Sequence, residues 1–388
     1  MQLDLEDEKI LQGGYGETRQ KMMEILVALG KVFGADKLIP IASAQVSGAS
    51  YKTIGEWGLR WLESLHAKVA VPTVLNPIGM PRETWDELGI SRDFAERQQA
   101  IINAYRQLGV KMECTCTPYY LQLTHYGDHL AWAESSAVVY ANSVIGARTN
   151  REGGPGALAA AIIGKTPEYG LHLLANRKPD VMVTLDGACT LKNRGDVYGA
   201  IGYIAGKRVE NRIPLFSGIR PRRDDLKALG AAMAATGTVS LFHIEGLTPE
   251  ARIFKFMRTG LEEIVIEAHE VDALFQEMDV DAVAIGCPHC SAIELEEIAS
   301  SLDGKKVKKP LFVFSSDRVL HTHHAAVEKI TRSGAKVVPD TCMVVSPIME
   351  RYRTVMVDSG KAFAYVPDMC GVLARIGTRK ECIRVATS

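Results

Sequence analysis

Three widely separated stretches of this 388-residue chain end in cysteine. In the first, Gly109-Val-Lys-Met-Glu-Cys-Thr-Cys-Thr-Pro118, an extended apolar run leads to Cys114 and Cys116 and is closed by a proline, which stops a strand. In the second, Asp281-Ala-Val-Ala-Ile285 runs into Gly286-Cys287-Pro288-His289-Cys290. In the third, Ala335-Lys-Val-Val-Pro-Asp-Thr341 leads to Cys342. Each pattern sets thiols at the carboxyl end of a predicted strand, where open α/β sheets hold ligands. Thiolates from separate strand ends converging on one cleft would suit an iron–sulfur cluster or another metal centre. Three such ligands would leave one iron free of protein and available as a Lewis acid.

Other chemistry fits parts of this pattern. Cys287-Pro-His-Cys290 has the spacing of a redox pair, which needs two thiols near a helix start. A zinc ribbon needs a second C-x-x-C, and the chain has none. In Cys114-Thr-Cys116 both side chains share a face only while strand alternation persists. Scattered structural thiols are the plainest alternative, because cysteine is commonly buried. Cys189, Cys370 and Cys382 read as buried apolar cysteines of that kind.

Further polar candidates lie at predicted strand ends. After the run 37–45 comes Ser47-Gly48-Ala49-Ser50, with Ser50 placed to cap an amphipathic helix over 51–65. A strand, a small turn and a helix N-terminus make an anion site, or simply a capped turn. The run 68–75 is followed by Asn76-Pro77. Residues 119–133 are dense in aromatics and histidines, as in a pocket wall or an irregular core loop. Glu134 precedes a buried helix, a favourable place for a carboxylate or a plain cap. Arg148 and Arg151 flank a Gly-rich loop and could clamp a carboxylate or phosphate. The loop lacks the Gly-Lys-Ser/Thr ending of a nucleotide-binding P-loop.

The elements that must position these residues alternate. Helices are predicted at 16–33, 92–108, 223–235, 248–258, 270–278, 291–302 and 322–333. Strands are predicted at 181–185, 213–216, 239–244, 263–268, 281–285, 310–314 and 336–338. Such alternation means an α/β fold with mainly parallel sheets flanked by helices. The length suggests several lobes, placed at 1–210, 211–335 and 336–388. With 45 basic and 46 acidic residues, the net charge of −1 offers no electrostatic case for nucleic acid. No apolar run would span a membrane, and the polar N-terminus is unlike a signal peptide. A cytoplasmic protein with reduced thiols is expected.

Several segments resemble one family, in order along nearly the whole chain. They are Ser47-Gly-Ala-Ser50, Asn76-Pro-Ile-Gly-Met-Pro81, Cys114-Thr-Cys-Thr-Pro118, Trp132-Ala-Glu-Ser-Ser136, Ala141 through Pro155, Ile285-Gly-Cys-Pro-His289 and Pro339-Asp-Thr-Cys342. The family is aconitase X, large-subunit type. The resemblance implies an aconitase-superfamily fold, a 4Fe–4S cluster that can be isolated as 3Fe–4S, and dehydratase activity. It also implies a small subunit carrying a swivelling domain, for which these 388 residues leave no room. Two activities occur in the family: dehydration of mevalonate 5-phosphate and of cis-3-hydroxy-L-proline. The loop Thr149-Asn-Arg-Glu-Gly-Gly-Pro155 and the two-subunit format resemble the first type. Carried over residue by residue, the resemblance implies Cys114, Cys287 and Cys342 as cluster ligands. Gly48, Ala49, Ser50, Asn76, Pro77, Glu134, Ser135 and Lys361 would contact substrate, with Glu134 and Ser135 in catalysis. Cys116 and Cys290 are left without a role.

Overall fold

β-Branched and apolar runs become three parallel sheets in a computed structural model that describes residues 1–186, 197–254 and 260–388. In the first, the chain builds from Ser43–Val46 through Thr73–Leu75 to Lys111–Cys114, then lays Leu130–Trp132 on the opposite side. The second runs Val181–Leu185, Pro214–Phe216, His243–Ile244, with Glu262–Ile266 added at the other edge. The third centres on Ala282–Cys290. Leu311–Ser315 and Lys336–Pro339 lie to one side, Thr354–Val357 and Leu373–Ile376 to the other. An antiparallel ribbon, Leu38–Pro40 with Lys165–Pro167, closes an edge. Parallel strands need long crossovers, and helices fill them and cover the sheets. Cys189 lies outside the described residues.

The sheets divide the chain differently from the limits expected at 210 and 335. Val181–Leu185 pairs with Pro214–Phe216 and Glu262–Ile266, so the second sheet begins well before 210. Lys336–Pro339 pairs with Leu311–Ser315, so the third sheet runs through 335. Neighbours in a parallel sheet are distant in sequence, and composition does not mark where one sheet gives way to the next.

Most predicted helices form, as at Glu17–Val32, Arg92–Gln107, Arg223–Thr236 and Ala292–Leu302. The one expected at 270–278 is only Ala268–Asp272. Two further helices that sequence reading passed over are Tyr198–Val209 and Gly360–Cys370. The first carries glycines that lower its intrinsic preference. At Gly202 the reason is contact: a Cβ there would lie 2.4 Å from the Leu229 carbonyl oxygen of the adjoining helix. The buried helix expected after Glu134 is α-helical at Ser135–Tyr140 and widens into a π-type turn at Ala141–Ile145. Among the described residues no helix is long and apolar enough to cross a membrane.

Arg177 ties that turn to the second lobe. Its side chain is fully buried and paired with Glu250 at 2.8 Å. It also donates to the carbonyls of Asn142 and Ala147, each at 3.0 Å. These bonds satisfy carbonyls that the widened turn leaves free. Removing one member of a buried ion pair strands the other charge. Arg177→Met is therefore expected to lower unfolding stability by about 3–5 kcal/mol, measured by denaturant titration. A loss below about 1 kcal/mol, the scale of an exposed pair, would contradict this account.

Candidate active site

The strand order reverses beside Ser43–Val46 in the first sheet and beside Ala282–Cys290 in the third, and crevices open at the carboxyl ends there. Each strand of the first sheet delivers one candidate loop. Ser43–Val46 leads to Gly48, Ala49 and Ser50, and the Ser50 hydroxyl caps the helix Tyr51–Glu63 by accepting from the Lys52 N–H at 3.3 Å. The same hydroxyl donates to the Val345 carbonyl at 2.8 Å. Thr73–Leu75 leads to Asn76, Lys111–Cys114 to Cys116, and Leu130–Trp132 to Glu134, which caps the helix Ser135–Tyr140. Buried Gln45 stitches two of these loops, donating to the Thr115 carbonyl at 2.8 Å and accepting from the Glu134 N–H at 3.3 Å.

The third lobe closes over these loops. The Ile78 N–H donates to Asp340 at 2.9 Å, and the Cys342 N–H donates back to Ile78 at 3.1 Å. Ser359 caps the helix Gly360–Cys370 and donates to the Cys287 carbonyl. That cap sets Lys361 on the first turn, aimed at Glu134.

Cys116, Cys287 and Cys342 meet in one cavity of about 60 Å³, with Asn76, Pro77, Glu134, His289 and Lys361 also on its wall. A second cavity of about 420 Å³ is lined by Gly48, Ala49 and Ser50 and shares Asn76, Pro77 and Val345 with the first. Ser135 touches neither wall but donates to Glu134 Oε1 at 3.2 Å. Cys114 is elsewhere. It is buried in the core of the first lobe, beside Asp340 and Arg82. The strand ends at Cys114, so its alternation does not carry to residue 116. On geometry, Cys116 takes the place in the cleft expected of Cys114.

The redox-pair reading of Cys287 and Cys290 finds no support. Cys287 packs in the cluster with Met343 and Ala362, Cys290 in a different one with Leu295 and Val313. Cys370 and Cys382 are buried in the core. The aromatic stretch 119–133 is core and loop: Tyr119 stacks on Tyr140, and His129 lies against His172. Arg148 donates to the His172 carbonyl, away from the cleft. Arg151 is near enough to favour the charged form of Glu134.

Burial disfavours charge throughout the cavity. It pushes Cys116 up to about 12 and raises Cys287 and Cys342, partly offset by the Lys361 charge. Burial also acts against ionised Glu134, but the adjacent Lys361 ammonium outweighs it and holds the carboxyl below its ordinary value. Lys361 is correspondingly raised, with burial opposed chiefly by Glu134. Glu134 Oε1 receives Lys361, Ser135 and Ser136, while Oε2 receives the Asn76 amide at 2.8 Å. Among the described residues, Asn76 Oδ1 is buried with no hydrogen-bond partner. No set of three or more described His, Cys, Asp or Glu side chains is drawn in as ligands of a single ion. A cluster differs from an ion in placing its own irons and sulfides between thiolates. Three free, soft donors on one cavity wall match that demand.

Gln45, Ser136, His289 and Cys116 are site residues that sequence reading missed or left without a role. Gln45 carried one signal, an amide inside an apolar strand, where a buried polar group requires partners.

Models of the aconitase X first, second and third domains match residues 1–175, 179–276 and 280–388. The phosphomevalonate dehydratase large subunit of Methanosarcina mazei is 52% identical, covering 100% of this chain and 97% of that one. Its counterpart in Methanocaldococcus jannaschii is 46% identical over 99% of this chain and 100% of its own. The cis-3-hydroxy-L-proline dehydratase of Hypocrea jecorina is 33% identical, and the match takes in 68% of its length. The crystal structure of Thermococcus kodakaraensis aconitase X in its holo-form superposes with a TM-score of 0.91 at 45% identity, covering both chains completely. With its three sheets, converging loops and all three domain signatures in order, this chain belongs to the aconitase X family.

Proposed function

We propose that the chain is the large subunit of a hydro-lyase that converts (R)-5-phosphomevalonate to trans-anhydromevalonate 5-phosphate. The observation that carries the substrate is similarity along the full chain, at 46–52% identity, to phosphomevalonate dehydratase large subunits. The hydroxyproline dehydratases stand at 33% and are longer chains. A small subunit with a swivelling domain completes the enzyme over the cleft, in the cytoplasm, where thiols stay reduced.

In this reading Cys116, Cys287 and Cys342 hold an iron–sulfur cluster. When bound, it supplies Lewis acidity to help a tertiary hydroxyl depart. The chain's own residues handle charge and protons. The substrate carboxylate enters beside Asn76 and the loop 48–50 and draws the Lys361 ammonium toward itself. Glu134 then loses its nearest cation while staying buried, and burial alone raises a carboxyl. An ion-paired, weakly basic carboxylate becomes a stronger base next to the proton α to the substrate carboxylate. Ser135, Ser136 and the Asn76 amide keep it oriented. The larger cavity gives room for the rest of the substrate.

Single replacement of Cys116, Cys287 or Cys342 by Ala should abolish visible absorbance, iron content and activity in the anaerobic two-subunit complex. Cys114→Ala should keep all three. Loss of iron in Cys114→Ala with retention in Cys116→Ala would reverse the ligand assignment. Assaying both candidate substrates in parallel decides the activity, and turnover of hydroxyproline alone would overturn the proposal.

Lys361→Met should abolish activity and lower unfolding stability by about 3–5 kcal/mol, because Glu134 is left buried without its cation. The double variant with Glu134→Gln should recover much of that stability. Since Glu134 is held low, the pair's contribution is complete above the ordinary glutamate value of 4.5 and is lost as pH falls through the lower, folded-state value. Equal losses in the single and double variants would show that the charges are not coupled.

A further inference from the structure

His289 occupies an unusual position among the three thiol-bearing loops. Its ring lies fully buried between the first and third lobes. Nε2 faces the Thr341 carbonyl at 2.9 Å. A carbonyl only accepts, so Nε2 carries the ring proton and donates it. Nδ1 is therefore the acceptor, and the Thr115 hydroxyl donates to it at 3.2 Å. The Thr117 N–H, at 3.1 Å, and the Thr117 hydroxyl, at 2.9 Å, complete the bonds around the Thr115 oxygen. Thr341 precedes Cys342, Thr115 precedes Cys116, and His289 itself is two residues after Cys287.

The backbone of the same residue adds two more links. Its N–H donates to the Cys116 sulfur at 3.1 Å. Its carbonyl accepts from Lys227 at 3.1 Å, a buried lysine on the second-lobe helix Arg223–Thr236. A histidine that merely filled core space would need partners only for its two ring nitrogens. Here both ring bonds end on residues next to cavity thiols, and the N–H ends on one of the thiols.

We propose that His289 is the positioning residue of the cluster site: it fixes the spacing of the loops bearing Cys116, Cys287 and Cys342, and directs an N–H at the Cys116 sulfur. The inference rests on the cluster reading above. Hydrogen bonds to ligand sulfurs help set a cluster's electronic properties, and outer partners orient the ligands themselves. The ring acts as a neutral crossbar, so the three thiols are already gathered before any iron arrives.

The test uses the anaerobic two-subunit complex with His289→Ala, His289→Gln and His289→Asn. Glutamine can place an amide N–H near Nε2 and keep the Thr341 bond. Asparagine can place an oxygen near Nδ1 and keep the Thr115 bond. Alanine loses both. Iron release to a chelator is expected to be about 10- to 100-fold faster in His289→Ala, the range for loss of an outer-shell partner, and intermediate in the other two. The electron paramagnetic resonance spectrum of the cluster should change in step. After iron is stripped, alkylation of Cys116 and Cys342 by iodoacetamide, mapped by mass spectrometry, should also speed up in His289→Ala. Far-UV circular dichroism checks that each variant is folded. Wild-type rates of release and alkylation, with an unchanged spectrum, would overturn the proposal. If His289→Ala does not fold, wild-type behaviour in both the Gln and Asn variants overturns it equally. A wild-type complex without iron would instead sink the cluster reading, while alkylation of that protein still tests whether His289 gathers the loops.

Discussion

The buried pair between Glu134 and Lys361 is the contact on which the site depends. Both side chains are nearly withdrawn from solvent, at 14% and 7% exposure. Burial alone would drive the carboxyl to protonate and the amine to lose its proton. Held together, each keeps the other charged. The two residues come from different lobes, so the pair also fixes how the first and third lobes close on the cleft. The Ile78–Asp340 and Cys342–Ile78 backbone bonds reinforce the same closure. A buried ion pair contributes less to net stability than its Coulomb energy suggests, because desolvation is expensive. Its value here is a pair of opposite charges held buried in the cleft.

Parallel sheets explain why the parts of this site are so far apart in sequence. Every strand in such a sheet runs the same way, so all loops at the carboxyl ends emerge on one side. Two sheets whose strand order reverses, set with those sides facing, bring loops from residues 47, 76, 116, 134, 287 and 342 to one place. Among the described residues, the second sheet contributes no wall residue to either of these cavities. It acts through its helix Arg223–Thr236, whose buried Lys227 reaches both the His289 carbonyl and Glu294.

A two-residue spacing decides which thiol reaches the cleft. Within a strand, Cys114 and Cys116 would point the same way. The strand stops at Cys114, the chain turns through Thr115 and Thr117, and Pro118 opens a new turn. Cys114 therefore enters the hydrophobic core and Cys116 the cavity. At the other cysteine strand, Gly286 has φ of +106°, and a Cβ there would lie 2.2 Å from the Phe314 carbonyl oxygen. The strand's pairing register shifts between Ile285 and Cys290 at this point. That break sends Cys287 and Cys290 into different clusters, although only two residues lie between them.

The amino-acid sequence alone determined the α/β class, because strand-like runs alternate with helical periods and leave room for crossovers. It also determined that cysteines stand at strand ends, since Pro118 and the Gly286-Cys-Pro run interrupt apolar segments legibly. Ser50, Asn76 and Glu134 were readable as loop and cap residues for the same local reason. Lobe limits, the glycine-bearing helix Tyr198–Val209 and the choice between Cys114 and Cys116 were decided only in three dimensions. Sheet membership depends on pairing between distant strands, and a helix of weak propensity forms where close packing against a neighbour supports it. The direction of a side chain just past a strand depends on how the chain turns there. The partners of Gln45, His289 and Lys361 are set by contacts 52 to 227 residues away, which no local pattern encodes.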